Sequence, residues 1–421
     1  MRSIAVLAAL VVAVASHSAS AESLLIPADK IYTAPDAAPL LNGSVLVEGG
    51  RIRAVADERS RIAIPEGTRT SECRGVVVAG FQNSHVHFTE LAWRDAAHAP
   101  VKNLNDRLEA MLTKHGYVTV FDTGSDLGNT VALRKRIEKG DVRGPRILTA
   151  GLPLYPPEGI PHYINDLPAD VLARMHQPRS AAEAREDVRQ NLAAGADGTK
   201  LFLVTSPGHD VFKSMTLDVA RAAAEQTHRR GKLVLAHPST VAGIRNALDA
   251  GVDILVHTTL GERVPWDEGL VKRMVAQNMA VMPTFKLWGY ELRKGDVPPD
   301  VIERLVASTR DELLTFVRAG GQVLFGTDVG YMLQYDPTEE YQLMSQAGLT
   351  PMDILASLTT APAARWKESA RRGRVAPGLD ADLVVLAADP AEDVRNFANV
   401  RCAFRGGVQI YPEPIAPAQA N

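Results

Sequence analysis

Residues 232–259 read KLVLAHPSTVAGIRNALDAGVDILVHTT. An apolar run of strand length ends at His237, a segment with apolar residues at helical spacing follows (239–251), and a second apolar run ends at His257. Strand, helix and strand in that order make a parallel pair whose carboxyl ends lie on the same side. The two histidines therefore emerge at one edge.

The same alternation extends in both directions. Further strand-like runs are VTVFDTG (118–124), RILTAG (146–151), TKLFLV (199–204), AVMPTFK (280–286) and QVLFGTDVG (322–330). With the run VVVAGFQNSHVH ending at His85 and His87, eight strands alternate with helical segments such as AAEAREDVRQNLAAG (181–195). This predicts an α/β chain with a (β/α)₈ TIM barrel over 81–369.

The flanks differ in texture. Residues 22–80 are short apolar runs separated by turns, with Glu-Gly-Gly at 48–50 reading as a hairpin, and the same texture returns at 370–412. Both flanks are expected to join into a small composite β-sandwich domain, with 413–421 a disordered tail. Its two cysteines, Cys73 and Cys402, are the chain's complement and rule out a cysteine zinc cage. Two unpaired thiols are the simpler reading, and a disulfide joining the flanks is the alternative.

The first 21 residues, MRSIAVLAALVVAVASHSASA, carry one Arg, a short apolar stretch and small residues at Ala19 and Ala21. This is the pattern of a secretory signal peptide, with an uncleaved anchor as the competing reading. The expectation is an exported protein, periplasmic or secreted, with no membrane association after cleavage. Composition is that of a globular protein, 46% hydrophobic and 23% charged with net charge -3, and gives no reason to expect a nucleic-acid partner. The one basic cluster, RWKESARRGR (365–374), reads as a solvated helix end and linker.

Barrel sites lie at the carboxyl ends of the strands, so the chemistry is sought there. In NSHVHF (83–88), His85 and His87 are two apart and share a strand face. Lys200 begins strand four, His237 ends strand five, His257 ends strand six, and Asp328 ends strand eight. A strand-end histidine alone is more often packed than ligating, and Asp328 alone could cap a helix. Together, four imidazoles and a carboxylate on strands that converge describe a metal site.

Lys200 fits such a site only after losing its charge. A deprotonated lysine can combine with carbon dioxide to give a carbamate (N6-carboxylysine), whose two oxygens can bridge a metal pair. One divalent ion, zinc by preference, would then be held by His85, His87, modified Lys200 and Asp328. A second would be held by modified Lys200, His237 and His257. Water bound there becomes acidic enough to supply a nucleophile near neutral pH.

HVH at 85–87, GADGTK ending at Lys200, AHP at His237, LVH at His257 and GTD at Asp328 resemble the motifs of the amidohydrolase superfamily. HPSTVAGIRNALDAGVDILVH and GLDADLVVLAADP are similar to its imidazolonepropionase-like and prolidase-like branch. The resemblance covers nearly the whole chain after residue 21. It implies a binuclear zinc centre, amide hydrolysis of dipeptide-like or N-acyl amino acid substrates, and Asp328 as the catalytic proton carrier. Many members form homo-oligomers, though no feature of this sequence establishes one.

Substrate contacts must come from loops after the strands. YPPEGIPHYIND (155–166) offers His162 and Tyr163 to a carbonyl oxygen or carboxylate, KLW (286–288) offers the charge of Lys286, and YMLQYD (331–336) offers Tyr331. Glu90 reads as a surface salt bridge; His17, His98, His115, His176, His209 and His228 fit no ligand position. Deamination is a rival reading. Related deaminases place a glutamate three residues after the strand-five histidine, whereas HPST has no carboxylate. Lactone or ester hydrolysis also fits, and a non-catalytic binding protein remains a third alternative.

Overall fold

A computed structural model describes residues 23–414, apart from 61, 165–166, 168, 209–210 and 262–265. The expected signal segment with His17, His209 and residues 415–421 of the tail lie outside the described residues.

The chain opens with β1 (Ser23–Ile31), β2 (Leu40–Glu48) and β3 (Arg51–Ala56), followed by β4 (Arg69–Thr70) and β5 (Val76–Ala79). Gly49 and Gly50, with φ of 57° and 78°, supply the two left-handed residues that the β2–β3 turn needs. Next come β6 (Phe81–Val86), β7 (Tyr117–Asp122), β8 (Arg146–Thr149) and β9 (Gly198–Phe202). A hairpin absent from the sequence reading, β10 (Val204–Gly208) and β11 (Val211–Ser214), follows β9. The series resumes with β12 (Leu233–His237), β13 (Ile254–Val256), β14 (Ala280–Met282) and β15 (Gln322–Val323), and the chain ends with β16 (Leu383–Leu386), β17 (Val400–Arg405) and β18 (Val408–Tyr411).

The eight central strands form two parallel sheets, β6-β7-β8 and β9-β12-β13-β14-β15. Backbone hydrogen bonds cross both seams. Leu154, just past β8, donates to the Lys200 carbonyl and accepts from the Phe202 N–H, each at 2.9 Å. At the other seam Ser84 N donates to the Phe325 carbonyl at 2.8 Å and Asp328 N to the His85 carbonyl at 2.9 Å. The architecture is TIM-barrel-type α/β, although the ladders do not run on as one eight-stranded sheet. β15 ends at Val323, and beyond it Gly326 passes close to β6, where an added Cβ would lie 2.8 Å from that of His85.

Alternation sorts the strand residues. Leu235, Ile254, Val256, Ala280 and Met282 face one interior cluster, whereas Val234, Ala236, Leu255 and Val281 join the cluster formed with Val219, Ala223, Ile244, Leu270 and Met274 of the covering helices. Full burial of each such aliphatic side chain is worth about 1.5–3 kcal/mol.

Both chain ends meet in one strand network, ordered β18-β17-β16-β5-β1-β2-β3 with β4 paired to β1. Val77, Ala79, Leu383, Val385 and Phe404 face a separate core with Ile26, Val45 and Ile52; their alternates Val76, Val78, Val384, Leu386 and Ala403 pack onto the barrel core. β1 pairs with β2 along one edge and with β4 and β5 along the other, so the ladders join all these strands in one network and do not by themselves separate the two layers of the expected sandwich.

Two further readings are corrected. Cys73 and Cys402 form a disulfide, with Cα atoms 6.3 Å apart, rather than remaining free thiols. The basic stretch 365–374 is not simply solvated: Arg372 is 6% exposed and donates to Asp380 at 2.9 Å, and Arg365 holds Gln322 and the Asn278 carbonyl. The charge there spans the junction between barrel and flank instead of lying on a free helix end.

Candidate metal centre

β6 places His85 and His87 on the face opposite Val86, which packs outward into the helix-covered core. Lys200 likewise points opposite to outward-packed Leu201, and His237 follows Leu235 by two residues on the inner face of β12. His257 requires a different device. Strict alternation after inward Val256 would send it toward the helices, but its backbone is left-handed, φ 74°, and its ring lies 4.9 Å from that of His85 and 4.8 Å from that of His237. Asp328 is also left-handed, φ 60°. Unfavourable backbone at such positions costs on the order of 1–3 kcal/mol each and tends to collect at functional sites.

The donor atoms converge. His85 Nε2 and His87 Nε2 are 3.2 Å apart, and both lie close to Asp328 Oδ1, at 3.3 and 3.0 Å; His257 Nε2 is 3.8 Å from Asp328 Oδ2. His85, His257 and Asp328 each offer a ligand atom within 4.8 Å of the others, and all three are buried. The four imidazoles, Lys200 and Asp328 named from the sequence are thus gathered at one end of the barrel.

Hydrogen bonds behind the histidines decide which nitrogen faces inward. His87 Nδ1 lies 2.7 Å from the Gly124 carbonyl oxygen, which can only accept, so Nδ1 carries the proton and Nε2 presents a lone pair. His257 Nδ1 faces Thr284 Oγ1 at 2.5 Å; that hydroxyl donates to the Pro283 carbonyl and therefore accepts from His257. Again Nε2 is left as a lone pair. His85 Nδ1 is buried with no hydrogen-bond partner. Imidazole lone pairs and a carboxylate so close together repel unless a cation lies between them, so the donor set fits a divalent metal.

The electrostatics agree. Burial, reinforced by neighbouring positive groups, holds His85 and His257 well below the usual histidine range, and burial with Lys200 nearby takes His237 down to about 3. His87 is the exception: burial opposes its charge, but the negative charge of Asp328 beside Nε2 outweighs burial and raises it, so Nε2 presents its lone pair only when a cation takes the place of that proton. Lys200 is 1% exposed, and burial brings it down to about 7 despite Asp328. Its Nζ lies 5.0 Å over the Phe202 ring, which itself stacks on His237. A neutral lysine amine is the form that can bind a metal through carboxylation.

The loop residues divide. His162 is exposed, with Nδ1 3.0 Å from the Ser206 carbonyl oxygen of the β10–β11 hairpin; Tyr163 sits against Tyr331 at 5.4 Å, and Tyr331 follows Asp328 by three residues. These three stand together over the strand ends. Lys286 is engaged elsewhere: its ammonium donates to the Gln334 and Asp336 carbonyls, both at 2.7 Å, and so pins the loop after Asp328. Glu90 pairs with Arg107 at 3.4 Å and accepts from Tyr335. His98, His176 and His228 pair with Asp95, Asp187 and Asp253 away from the cluster, and His115 is buried beside Tyr117.

Sequence reasoning missed the residues behind the ligands. Thr284, itself left-handed at φ 45°, fixes His257. Buried Asp122 accepts from Gly124 N–H and from the hydroxyls of Ser125, Thr130 and Thr149, holding the turn whose carbonyl fixes His87. The usable signal was position, since Asp122 ends β7 in DTG and Thr284 lies just past β14 in PTF.

Comparison with known proteins places this geometry. Residues 76–410 match the model of the amidohydrolase family. The ochratoxinase of Aspergillus niger is 24% identical over 425 residues, spanning 91% of this chain and 85% of its own. A Xaa-Pro dipeptidase structure superposes with TM-score 0.76 at 22% identity, covering 92% of this chain and 99% of that one. A putative prolidase from Bifidobacterium longum gives TM-score 0.76 at 24% identity, covering 93% and 95%. With the family match running from β5 into β18 and the polar strand ends gathered at one mouth, the chain belongs to the amidohydrolase family and is a hydrolase acting on carbon–nitrogen bonds.

Proposed function

We propose that the protein is an exported amidohydrolase with a two-metal centre, cleaving the amide of a dipeptide-like or N-acyl amino acid substrate. The observation that carries this reading is the convergence of His85, His87, Lys200, His237, His257 and Asp328, with the lone pairs of His87 and His257 aimed inward. His85, His87 and Asp328 would hold one ion, His237 and His257 a second, and carboxylated Lys200 would span them. When bound, divalent ions acidify water and polarise a carbonyl oxygen.

The chain's own groups do the rest. Once the Lys200 ammonium has given up a proton, carboxylation joins its neutral Nζ to the carbon of carbon dioxide and releases a second proton, so that a group that would repel metals becomes an anion. Asp328 lies 3.0 Å from His87 Nε2 through Oδ1, while Oδ2 faces His257, so one carboxylate sits where it can take a proton from the nucleophile and return it to the leaving amine. His162, Tyr163 and Tyr331 would hydrogen-bond the substrate, a role supported by their grouping with one another and with the loop after Asp328, whereas Lys286 serves as a loop staple.

Deamination is less well supported: Ser239, in the HPST run, donates to the Val204 carbonyl at 2.7 Å, and that run has no carboxylate to shuttle protons. The amide reading is supported by relatives named ochratoxinase and Xaa-Pro dipeptidase. Export is supported by the Cys73–Cys402 disulfide, since such bonds persist in oxidising compartments. The test is a panel of dipeptides, N-acyl amino acids, lactones and nucleobases given to the metal-loaded protein. Turnover confined to the first two classes is expected; release of ammonia from nucleobases without amide cleavage would overturn the reading.

A further inference from the structure

A cavity of about 600 Å³ opens between the flank network and the barrel, lined by the β2–β3 turn, the segment 137–143 that precedes β8, and the start of β18. It lies at the amino ends of the barrel strands, opposite to the metal cluster. In a chain of net charge -3, its wall gathers seven arginines and lysines against three carboxylates, Glu138, Asp380 and Asp382.

Pairing within the protein does not use up that charge. Asp380 serves both Arg371 and Arg372, at 2.8 and 2.9 Å, while Arg146 turns to Glu368 and Arg143 to Glu413. Arg372 Nε and Nη1 are buried without a hydrogen bond, their nearest carboxylates standing off at 3.5 Å for Glu368 and 3.8 Å for Asp382. Among the described residues Arg405 has one hydrogen bond, to the Ile137 carbonyl at 3.3 Å, and neither Arg405 nor Lys139 makes a direct ion pair, Asp382 and Glu138 acting on Arg405 only from a distance. Crowded guanidinium groups repel one another, and their planar forks match carboxylate and phosphate-type oxygens. A volume near 600 Å³ is in the range of small-molecule sites and larger than one inorganic anion needs.

We propose that this cavity binds a compact polyanion, bearing clustered carboxylates or phosphate-type oxyanions, at a site separate from the hydrolytic centre. Such a ligand would bridge the flank network, through Arg405 of β17, and the barrel, through Lys139 and Arg146. It would therefore stabilise the folded chain by mass action.

The experiment is calorimetric titration and thermal melting of the full purified chain with tricarballylate and with sulfate, two probes that hold divalent metals weakly, against chloride at equal ionic strength. Saturable binding by either probe with a raised melting temperature is expected, the better probe identifying the ligand's chemistry. Arg405→Gln and Lys139→Gln should each weaken binding by tenfold or more and leave the rate of amide hydrolysis unchanged. Lys139 is exposed, so its variant keeps the test valid if Arg405→Gln fails to fold. No saturable binding above chloride by either probe, or binding unchanged in the folded variants, would overturn the proposal. Because the readout is binding and melting, failure here is distinguishable from failure of the hydrolase reading.

Discussion

His257 and Thr284 form the smallest unit that can be tested. Both hold left-handed backbones, at φ 74° and 45°, and the hydroxyl of one fixes the proton of the other. Without that acceptor the His257 ring is free to rotate or to adopt the other tautomer, and partners of this kind contribute about 10- to 100-fold to metal affinity. Thr284→Val should therefore weaken metal binding by that factor in a chelator competition while the fold, read by circular dichroism, is retained; unchanged affinity would show that the tautomer is set by something else. Asp328→Asn keeps the shape but not the basicity, and should lower kcat by about 10²- to 10⁴-fold in steady-state assays. The gathering of His85, His87, Lys200, His237, His257 and Asp328 at one mouth was legible in the sequence from residue type and from position on or just after successive strands. Thr284 and Asp122 were not, since threonine and aspartate at strand ends are ordinary and their role depends on which imidazole nitrogen carries the proton.

Single elements show where pattern reading succeeds and stops. β12 and the helix Val241–Ala250 were legible because the hydrophobic period changes from two to that of a helix across HPST, where Thr240 caps the helix by accepting from Gly243 N–H. The hairpin β10–β11 was not, because Val204 merges with the apolar run of β9. The turn joining the helix Val101–Met111 to β7 buries His115, which burial depresses to about 4, with Lys114 assisting. Unfolded His115 takes up a proton near pH 6.5 and the folded form near 4, so this residue's contribution to stability is lost as pH falls through that window. His115→Leu should flatten the pH dependence of the denaturation free energy between pH 6.5 and 4 by up to about 1.4 kcal/mol per pH unit. Parallel curves for the two proteins would show that His115 is protonated within the fold.

At the scale of the whole molecule, the chain ends meet in one strand network and are tied covalently across 329 residues of sequence by Cys73–Cys402. The barrel was legible from its eight alternations; the bridge was not, because two cysteines fix no pairing until β17 is known to lie beside the segment before β5. Closing so long a loop stabilises on the order of 5 kcal/mol in the chain-entropy view. A Cys73→Ala/Cys402→Ala chain should unfold at clearly lower denaturant than the oxidised parent, and equal midpoints would mean that packing alone holds the ends together. We propose that the barrel brings these side chains together to hold two ions joined through Lys200. Metal content per chain, measured side by side for the parent and Lys200→Ala, tests it most directly: about two divalent ions falling in the variant is the expected result, and one ion or none, unaffected by the loss of Lys200, would contradict it.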